Sequence, residues 1–150
     1  MEIFIQIIAS FIAVVAFSIK LEVPKKYVCI TGIVGAIAWI TYLTCNYLGS
    51  QDIVSYFVST LVVATISIIL SKIFNAVSTI FLIPGILPTV PGAAMYKMIY
   101  YLINNNHPEA TYYLLQAIFI AAGMALAIFI TESIKGIKII RKEQVNENKI

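Results

Sequence analysis

The sequence has few charged residues, and this shortage excludes a water-soluble fold. Only 11% of the 150 residues are charged, whereas 61% are hydrophobic and the mean hydropathy is +0.95. Soluble domains contain about 25% charged residues, and a soluble fold of this length could not remove so much apolar surface from water. We therefore expect an integral membrane protein.

Metal ligands, disulfides and catalytic motifs are also lacking. His107 is the only histidine, and no second ligand stands at zinc-site spacing from it. Cys29 and Cys45 lie on one apolar run, about 24 Å apart along a helix, which is too far for a disulfide bond. We expect both to be buried packing residues. The sequence contains no phosphate-binding glycine loop, nucleophile elbow or zinc motif. We therefore predict that the chain is not an enzyme and that it binds no metal or cofactor.

What the sequence does contain is a series of apolar runs of membrane-spanning length, since a helix needs about 20 apolar residues to cross a bilayer. We predict an all-α, polytopic membrane helix bundle of five spans, with the fourth broken into two half-helices. The first run is expected to be a retained span, because it lacks the basic start and the cleavage site of a signal peptide. We expect a single transmembrane domain over residues 1–140, with spans at about 3–19, 27–48, 53–71, 75–103 (broken at 84–92) and 111–131, and a polar tail over 141–150 beyond the last helix.

The fourth run is interrupted by the sequence Ile83-Pro84-Gly85-Ile86-Leu87-Pro88-Thr89-Val90-Pro91-Gly92. Proline removes a backbone N–H and clashes with the preceding turn, so one continuous helix cannot pass through three prolines. We expect half-helices over about 75–83 and 93–103, with irregular backbone tolerated only beside protein or a polar cavity. The half-helix that begins near Ala93 would present unpaired N–H groups to a carboxylate. A kink that serves only helix packing is the alternative.

The distribution of basic residues predicts the orientation. If the broken run crosses the membrane, nine of the ten basic residues fall on one side, and only Lys97 remains within a span. The positive-inside tendency then predicts a multi-pass protein of the cell (plasma or inner) membrane, with the N-terminus outside and the C-terminus and its tail in the cytoplasm. The basic tail is too short for nucleic-acid binding and fits a topology determinant or contact with anionic lipid.

Several polar residues lie within the apolar runs. Lys97 would serve as a counter-charge for an anionic substrate, or its long side chain would reach the membrane interface. Glu132 is predicted to form an ion pair with Lys135. The third run carries a stripe of hydroxyl groups that would line a polar route or allow close helix packing: Ser55, Ser59, Ser67 and Ser71.

The broken segment resembles the threonine/serine exporter family, which shows a Pro-x-x-Pro-Gly sequence followed by a small residue and, soon after, a tyrosine. Pro88, Pro91, Gly92 and Tyr96 match that pattern. The layout of the spans extends the resemblance to nearly the whole chain, and it is greatest to the C-terminal membrane domain of the family, which also occurs as a separate small subunit. Pro84-Gly85 and Lys97 are not part of the family pattern.

The resemblance implies a secondary transporter, driven by the proton-motive force, that exports threonine and serine or, in a two-subunit form, a dicarboxylate such as succinate. It implies a larger homologous membrane subunit as partner, or else a homo-oligomer. The residues assigned to the substrate are Pro88, Pro91, Gly92, Ala93, Tyr96 and Lys97. The alternatives are a non-transporting membrane scaffold or assembly subunit and a self-sufficient homo-oligomeric channel or transporter.

Overall fold

The structure, a computed structural model, describes the backbone of residues 2–147 and the side chains of residues 3–136. The chain is helical throughout this part, with no strand. A short 3₁₀ turn (Leu87–Thr89) lies between the fourth and fifth α-helices. The α-helices are α1 (Glu2–Lys20), α2 (Lys25–Tyr47), α3 (Asp52–Ile73), α4 (Thr79–Gly85), α5 (Gly92–Ile103) and α6 (His107–Glu147).

Four of these helices are long and apolar enough to cross a membrane: α1, α2, α3 and residues 107–136 of α6. The segments Thr79–Thr89 and Gly92–Ile103 pass the same test together, with a bend of 45° between them. The prediction of an all-α membrane bundle with a broken fourth segment is therefore confirmed.

Contacts with α6 show that the broken segment crosses the whole bundle. Ser78, just before α4, donates a hydrogen bond to Glu132 at 3.2 Å. Tyr101, near the end of α5, stacks on Tyr113 with ring centroids 5.5 Å apart. Tyr113 and Glu132 are separated by about 29 Å along the axis of α6, which is close to the ~30 Å thickness of the hydrocarbon core. We conclude that α4 and α5 form one bent crossing and do not return to the side from which they entered.

The same contacts define two ends of the bundle. Tyr27, at the start of α2, packs edge-on against Phe74, just after α3, with ring centroids 5.5 Å apart. At the opposite end, Asp52 accepts a hydrogen bond from Gln116 at 3.4 Å. The end that contains Tyr27, called the basic end below, carries Lys20, Lys25, Lys26, Lys72 and Lys135.

Small and hydroxyl-bearing residues bring α1 and α2 close together. A Cβ atom added at Gly35 would lie 2.4 Å from Val14 Cγ2, and one at Gly32 would lie 2.7 Å from a methyl carbon of Val15. Nearby, the Ser18 and Thr31 hydroxyl groups share a buried hydrogen bond of 2.7 Å. Dispersion contacts and interhelical hydrogen bonds of this kind drive association within lipid, where apolar burial does not.

The two halves of the broken span have different surroundings. α4 packs against α1, α2 and α3, so that Phe81, Leu82 and Pro84 are buried. α5 packs against α6, which is the only described element that it contacts. Only Ala94 of α5 is buried. The break therefore marks the point at which the chain leaves the interior of the bundle for its periphery.

Three expectations from the sequence are wrong in detail. The first half-helix begins at Thr79 and not near residue 75. The break covers residues 86–91 and not 84–92, since Pro84 lies within α4. The last helix begins at His107 and continues through most of the predicted tail to Glu147, and residues 148–150 lie outside the described part. Finally, both cysteines are free as expected, but neither is buried: Cys29 is exposed and Cys45 is half-buried.

The glycine contacts predict that Gly35→Ala destabilises the fold by about 1–3 kcal/mol, because the new methyl group would overlap the buried Val14 side chain. Unfolding in detergent micelles would measure the change. Gly123→Ala is the matched control, since its Cβ atom would lie 3.9 Å from Ile53, an ordinary contact distance. Equal stability of the two variants would contradict the packing described for α1 and α2.

Candidate functional site

The backbone at the break follows from its prolines. Pro88 stands in the first turn of the 3₁₀ segment, where a missing N–H costs nothing. Val90 is extended, with φ −61° and ψ 137°, as expected of a residue that precedes a proline. Pro91 then provides the N-cap of α5, with φ −73° and ψ 46°. The chain is thus prevented from continuing α4 and starts a new helix at Gly92.

Residues on the α4 side of the break serve packing. Gly85 lies so close to α2 and α3 that a Cβ atom would be 2.7 Å from Val34 Cγ1 and 3.0 Å from Val63 Cγ1. Thr89 is fully buried, and its hydroxyl donates to the carbonyl of Ile86 at 2.7 Å. This explains Gly85, for which the sequence offered no role: α4 needs a glycine where it touches two neighbouring helices.

The first turn of α5 carries the unpaired amides that the sequence predicts. The Gly92 N–H group donates to the carbonyl of Val90 at 2.7 Å. The amides of Ala93 and Ala94 have no hydrogen-bond partner among the described residues, and no side chain caps the helix. α5 has 12 residues, so its N-terminus also carries the positive end of a helix dipole. This turn can accept an anionic group by hydrogen bonding from two adjacent N–H donors.

The predicted substrate residues are only partly brought together. Gly92 and Ala93 are exposed at the first turn of α5, directly after the buried Pro91. Tyr96 follows one turn later, with 70% of its surface exposed. Pro88 lies apart from this face, in a groove between α1 and α2. Gly92 has no left-handed φ, and a Cβ atom there would meet nothing within 4 Å, so the fold of this chain does not require a glycine at that position.

Lys97 is exposed on α5, but its ammonium group already has a partner. The Nζ atom lies 5.1 Å from the centre of the Tyr113 ring, a cation–π contact. Tyr113 also stacks on Tyr101. Tyr101 lies on α5 one turn after Lys97, and so farther from the break. The ammonium group therefore reaches away from the unpaired amides at the start of α5. A role for Lys97 as counter-charge stays a prediction.

Three polar side chains beside the break were not predicted from the sequence. Pro88 borders a surface groove of about 300 Å³ that is also lined by Gln6, Ser10 and Trp39. The Trp39 Nε1–H group donates to Gln6 Oε1 at 3.3 Å, and the Ser10 hydroxyl donates to the carbonyl of Gly35 at 3.1 Å. Gln6 is the only amide side chain within α1, and Trp39 is the only tryptophan, so composition alone could have drawn attention to them.

The hydroxyl stripe of α3 holds helices together. Ser59 donates to the carbonyl of Ala38 on α2 at 2.6 Å, and Ser55 donates to Asn46 Oδ1 at 3.3 Å. Ser67 is buried, and its hydroxyl has no partner in the described part of the chain. The sequence left open whether this stripe lines a polar route or allows close helix packing. These contacts favour helix packing.

Comparison with known proteins places the chain in a family. The family model described as "Threonine/Serine exporter, ThrE" matches residues 6–134, which include the break and all the predicted substrate residues. The chain belongs to the threonine/serine exporter family. No curated protein and no solved structure gives a match.

Membership of the threonine/serine exporter family gives the chain its general function. The family is one of transporters, so this multi-pass membrane protein is a component of an exporter-type transporter that acts in a lipid bilayer. The break in the fourth span is consistent with that function, because discontinuous helices are a common means of substrate binding in secondary transporters.

The exporter's Lys97–Tyr113 contact can be tested with a double-mutant cycle. Lys97→Met and Tyr113→Leu are expected to show a coupling of about 0.5–2 kcal/mol, because the cation–π interaction requires both partners. Detergent-based unfolding would supply the free energies. Lys97→Met with Tyr47→Leu is the control, since Tyr47 is 91% exposed on α2, and no coupling is expected. Absence of coupling between Lys97 and Tyr113 would contradict a structural role for the ammonium group.

Proposed function

We propose that the chain is the small subunit of a secondary transporter that exports a small carboxylate-bearing metabolite, threonine or serine, or a dicarboxylate such as succinate. A larger homologous membrane subunit would complete the transporter. The substrate carboxylate would bind the first turn of α5, with Pro91, Gly92 and Ala93 at the site and Tyr96 beside it. Pro88 would shape the backbone that leads to this turn, and Lys97 would contribute only after leaving Tyr113.

The unpaired amides of Ala93 and Ala94 carry this proposal, because of their depth. Gly92 lies nine residues before Tyr101, about 14 Å along α5, whereas the broken segment extends over about 29 Å. The amides therefore lie near the middle of the crossing. An N–H group without a partner in hydrocarbon costs several kcal/mol, so a ligand, water or another chain is needed at this depth.

The exposed position of α5 supports a second subunit. Gly92, Ala93 and Tyr96 all lie on the surface of α5, and α6 is the only described element beside that helix. A transporter usually binds its substrate between two halves that rock against each other. Five spans cannot form two equal halves, so we propose that the partner covers this face and that alternating access comes from motion between the two chains.

The site is tested by adding bulk at Gly92. Gly92→Val is expected to insert and fold normally, since a Cβ atom there meets nothing within 4 Å. Its side chain would crowd a carboxylate on the neighbouring amides, and we expect export to fall about tenfold, the equivalent of ~1.4 kcal/mol of lost binding. Efflux of threonine, serine and succinate from preloaded cells, with and without the gene for this chain, would give the rates and identify the substrate.

Gly136→Val is the matched control, because a Cβ atom at Gly136 on α6 also meets nothing within 4 Å. Co-purification with the larger subunit would separate a substrate effect from loss of assembly. Export by Gly92→Val at the wild-type rate would refute the site. Export by the purified chain alone in liposomes would instead support a homo-oligomeric transporter, and unchanged efflux in cells lacking the gene would support a scaffold.

We further propose that the basic end faces the cytoplasm, since lysines concentrate there. In a variant lacking Cys29 and Cys45, Gln51→Cys at the opposite end should react with a membrane-impermeant maleimide in intact spheroplasts. Leu21→Cys at the basic end should react only after the membrane is permeabilised. Both residues are exposed in the structure, so burial does not limit either reaction. The reverse labelling pattern would show the opposite orientation.

A further inference from the structure

A groove between α3 and α6, remote from the break, has the character of a binding site. It encloses about 350 Å³ and opens on the side of the bundle. Most of its lining is aliphatic, from Leu61, Ile68 and Ile69 on α3 and from Ile134 on α6. Packing of α3 against α6 leaves this groove unfilled, and the substrate proposal does not use it.

The groove changes in character along its length. On α3 it extends from Leu61 to Lys72, about 17 Å along the helix axis. Its apolar part lies toward the middle of the bundle, whereas Lys72 and Lys135 line it at the basic end. Hydrocarbon at membrane depth and ammonium groups near the surface match the order of groups in a phospholipid, whose acyl chains lie below a charged headgroup.

The ammonium groups of Lys72 and Lys135 differ in how many hydrogen-bond partners they already have. Lys135 is held in place, because its Nζ atom donates to Ser78 Oγ at 3.0 Å and to Glu132 Oε2 at 3.2 Å. An ammonium group has three donors, so one N–H bond of Lys135 has no partner among the described side chains and can bind a ligand. Lys72 is exposed and forms no ion pair with any described side chain. Glu132 offsets one of the two positive charges, so Lys72 supplies the net charge among the described side chains that line this end of the groove.

We propose that this groove binds an anionic phospholipid. One acyl chain lies along the aliphatic residues of α3 and α6, and the headgroup phosphate bonds to Lys72 and to the free donor of Lys135. Basic pockets between membrane helices are one known form of binding site for the headgroups of anionic lipids. A threonine or succinate molecule would leave most of the 17 Å of apolar lining unfilled and would find few convergent polar groups there, so the lining favours lipid over the exported metabolite.

The test uses the full chain, together with its larger subunit where that is needed for stability, in nanodiscs or detergent with defined lipid. Native mass spectrometry would count retained phosphatidylglycerol and phosphatidylcholine. We expect selective retention of phosphatidylglycerol and an approximately fivefold loss of affinity in Lys72→Gln, from removal of one lysine near a lipid phosphate. Lys25→Gln is the control, since Lys25 is exposed at the same end but outside the groove, and no selective loss is expected.

A second variant separates the groove from general electrostatic attraction. Thr65→Trp would fill the apolar part while leaving both lysines in place, because Thr65 is exposed there and its hydroxyl bonds only within its own helix. We expect this variant also to lose phosphatidylglycerol.

Three outcomes would overturn the proposal. The first is equal retention of the two lipids, and the second is an equal effect of Lys72→Gln and Lys25→Gln. The third is displacement of the lipid by a small solute. Displacement by inorganic phosphate would assign the groove to a free anion. Displacement by threonine or succinate, at the concentrations used in the efflux assay, would assign it to the transport pathway. Because no readout depends on export, the first two outcomes would leave the proposed transport site untouched. Export by Gly92→Val at the wild-type rate, which would refute the transport site, would in turn leave the lipid site untouched.

Discussion

A backbone amide in hydrocarbon must have a hydrogen-bond partner, and most of this structure depends on that constraint. Continuous helices satisfy it along α1, α2, α3 and α6, where each interior N–H bonds within its own helix. Along the fourth span, Pro88 and Pro91 prevent one continuous helix, so the backbone amides there cannot all be paired within a single helix. The consequence is a helix N-terminus within the fourth span, where the amides of Ala93 and Ala94 lack a partner that, in the function proposed above, the substrate carboxylate would supply.

The rest of the bundle keeps that N-terminus at its depth. α4 is fixed by the close approach of Gly85 to Val34 and Val63, while the link between Ser78 and Glu132 fastens the start of the broken span to α6. At the far end, the stacked rings of Tyr101 and Tyr113 join α5 to the same helix. Secured at both ends, the break has little freedom to slide toward either membrane surface.

The spans and the break could be predicted from the sequence, because hydropathy and proline chemistry act locally. The long α6 could not, since the polar residues after Thr131 reduce hydropathy without preventing a helix from continuing. The role of Gly85 and the direction of Lys97 depend on which helices become neighbours, and no local pattern contains that information. Cys29 was misjudged for a related reason: in a membrane bundle, an apolar position faces lipid as readily as it faces the core.

The contrast between α4 and α5 also bears on where a solute would pass. On the α4 side of the break, Thr89 is fully buried and Gly85 leaves no room even for a methyl group, so the chain's own core is closed there. On the α5 side, Gly92 and Ala93 are open. A pathway that uses the unpaired amides must therefore run along the outer face of α5 and not through the bundle. Such a face becomes a closed route only when another chain lies against it. In the proposed transporter, the position of α5 would therefore connect substrate binding with assembly.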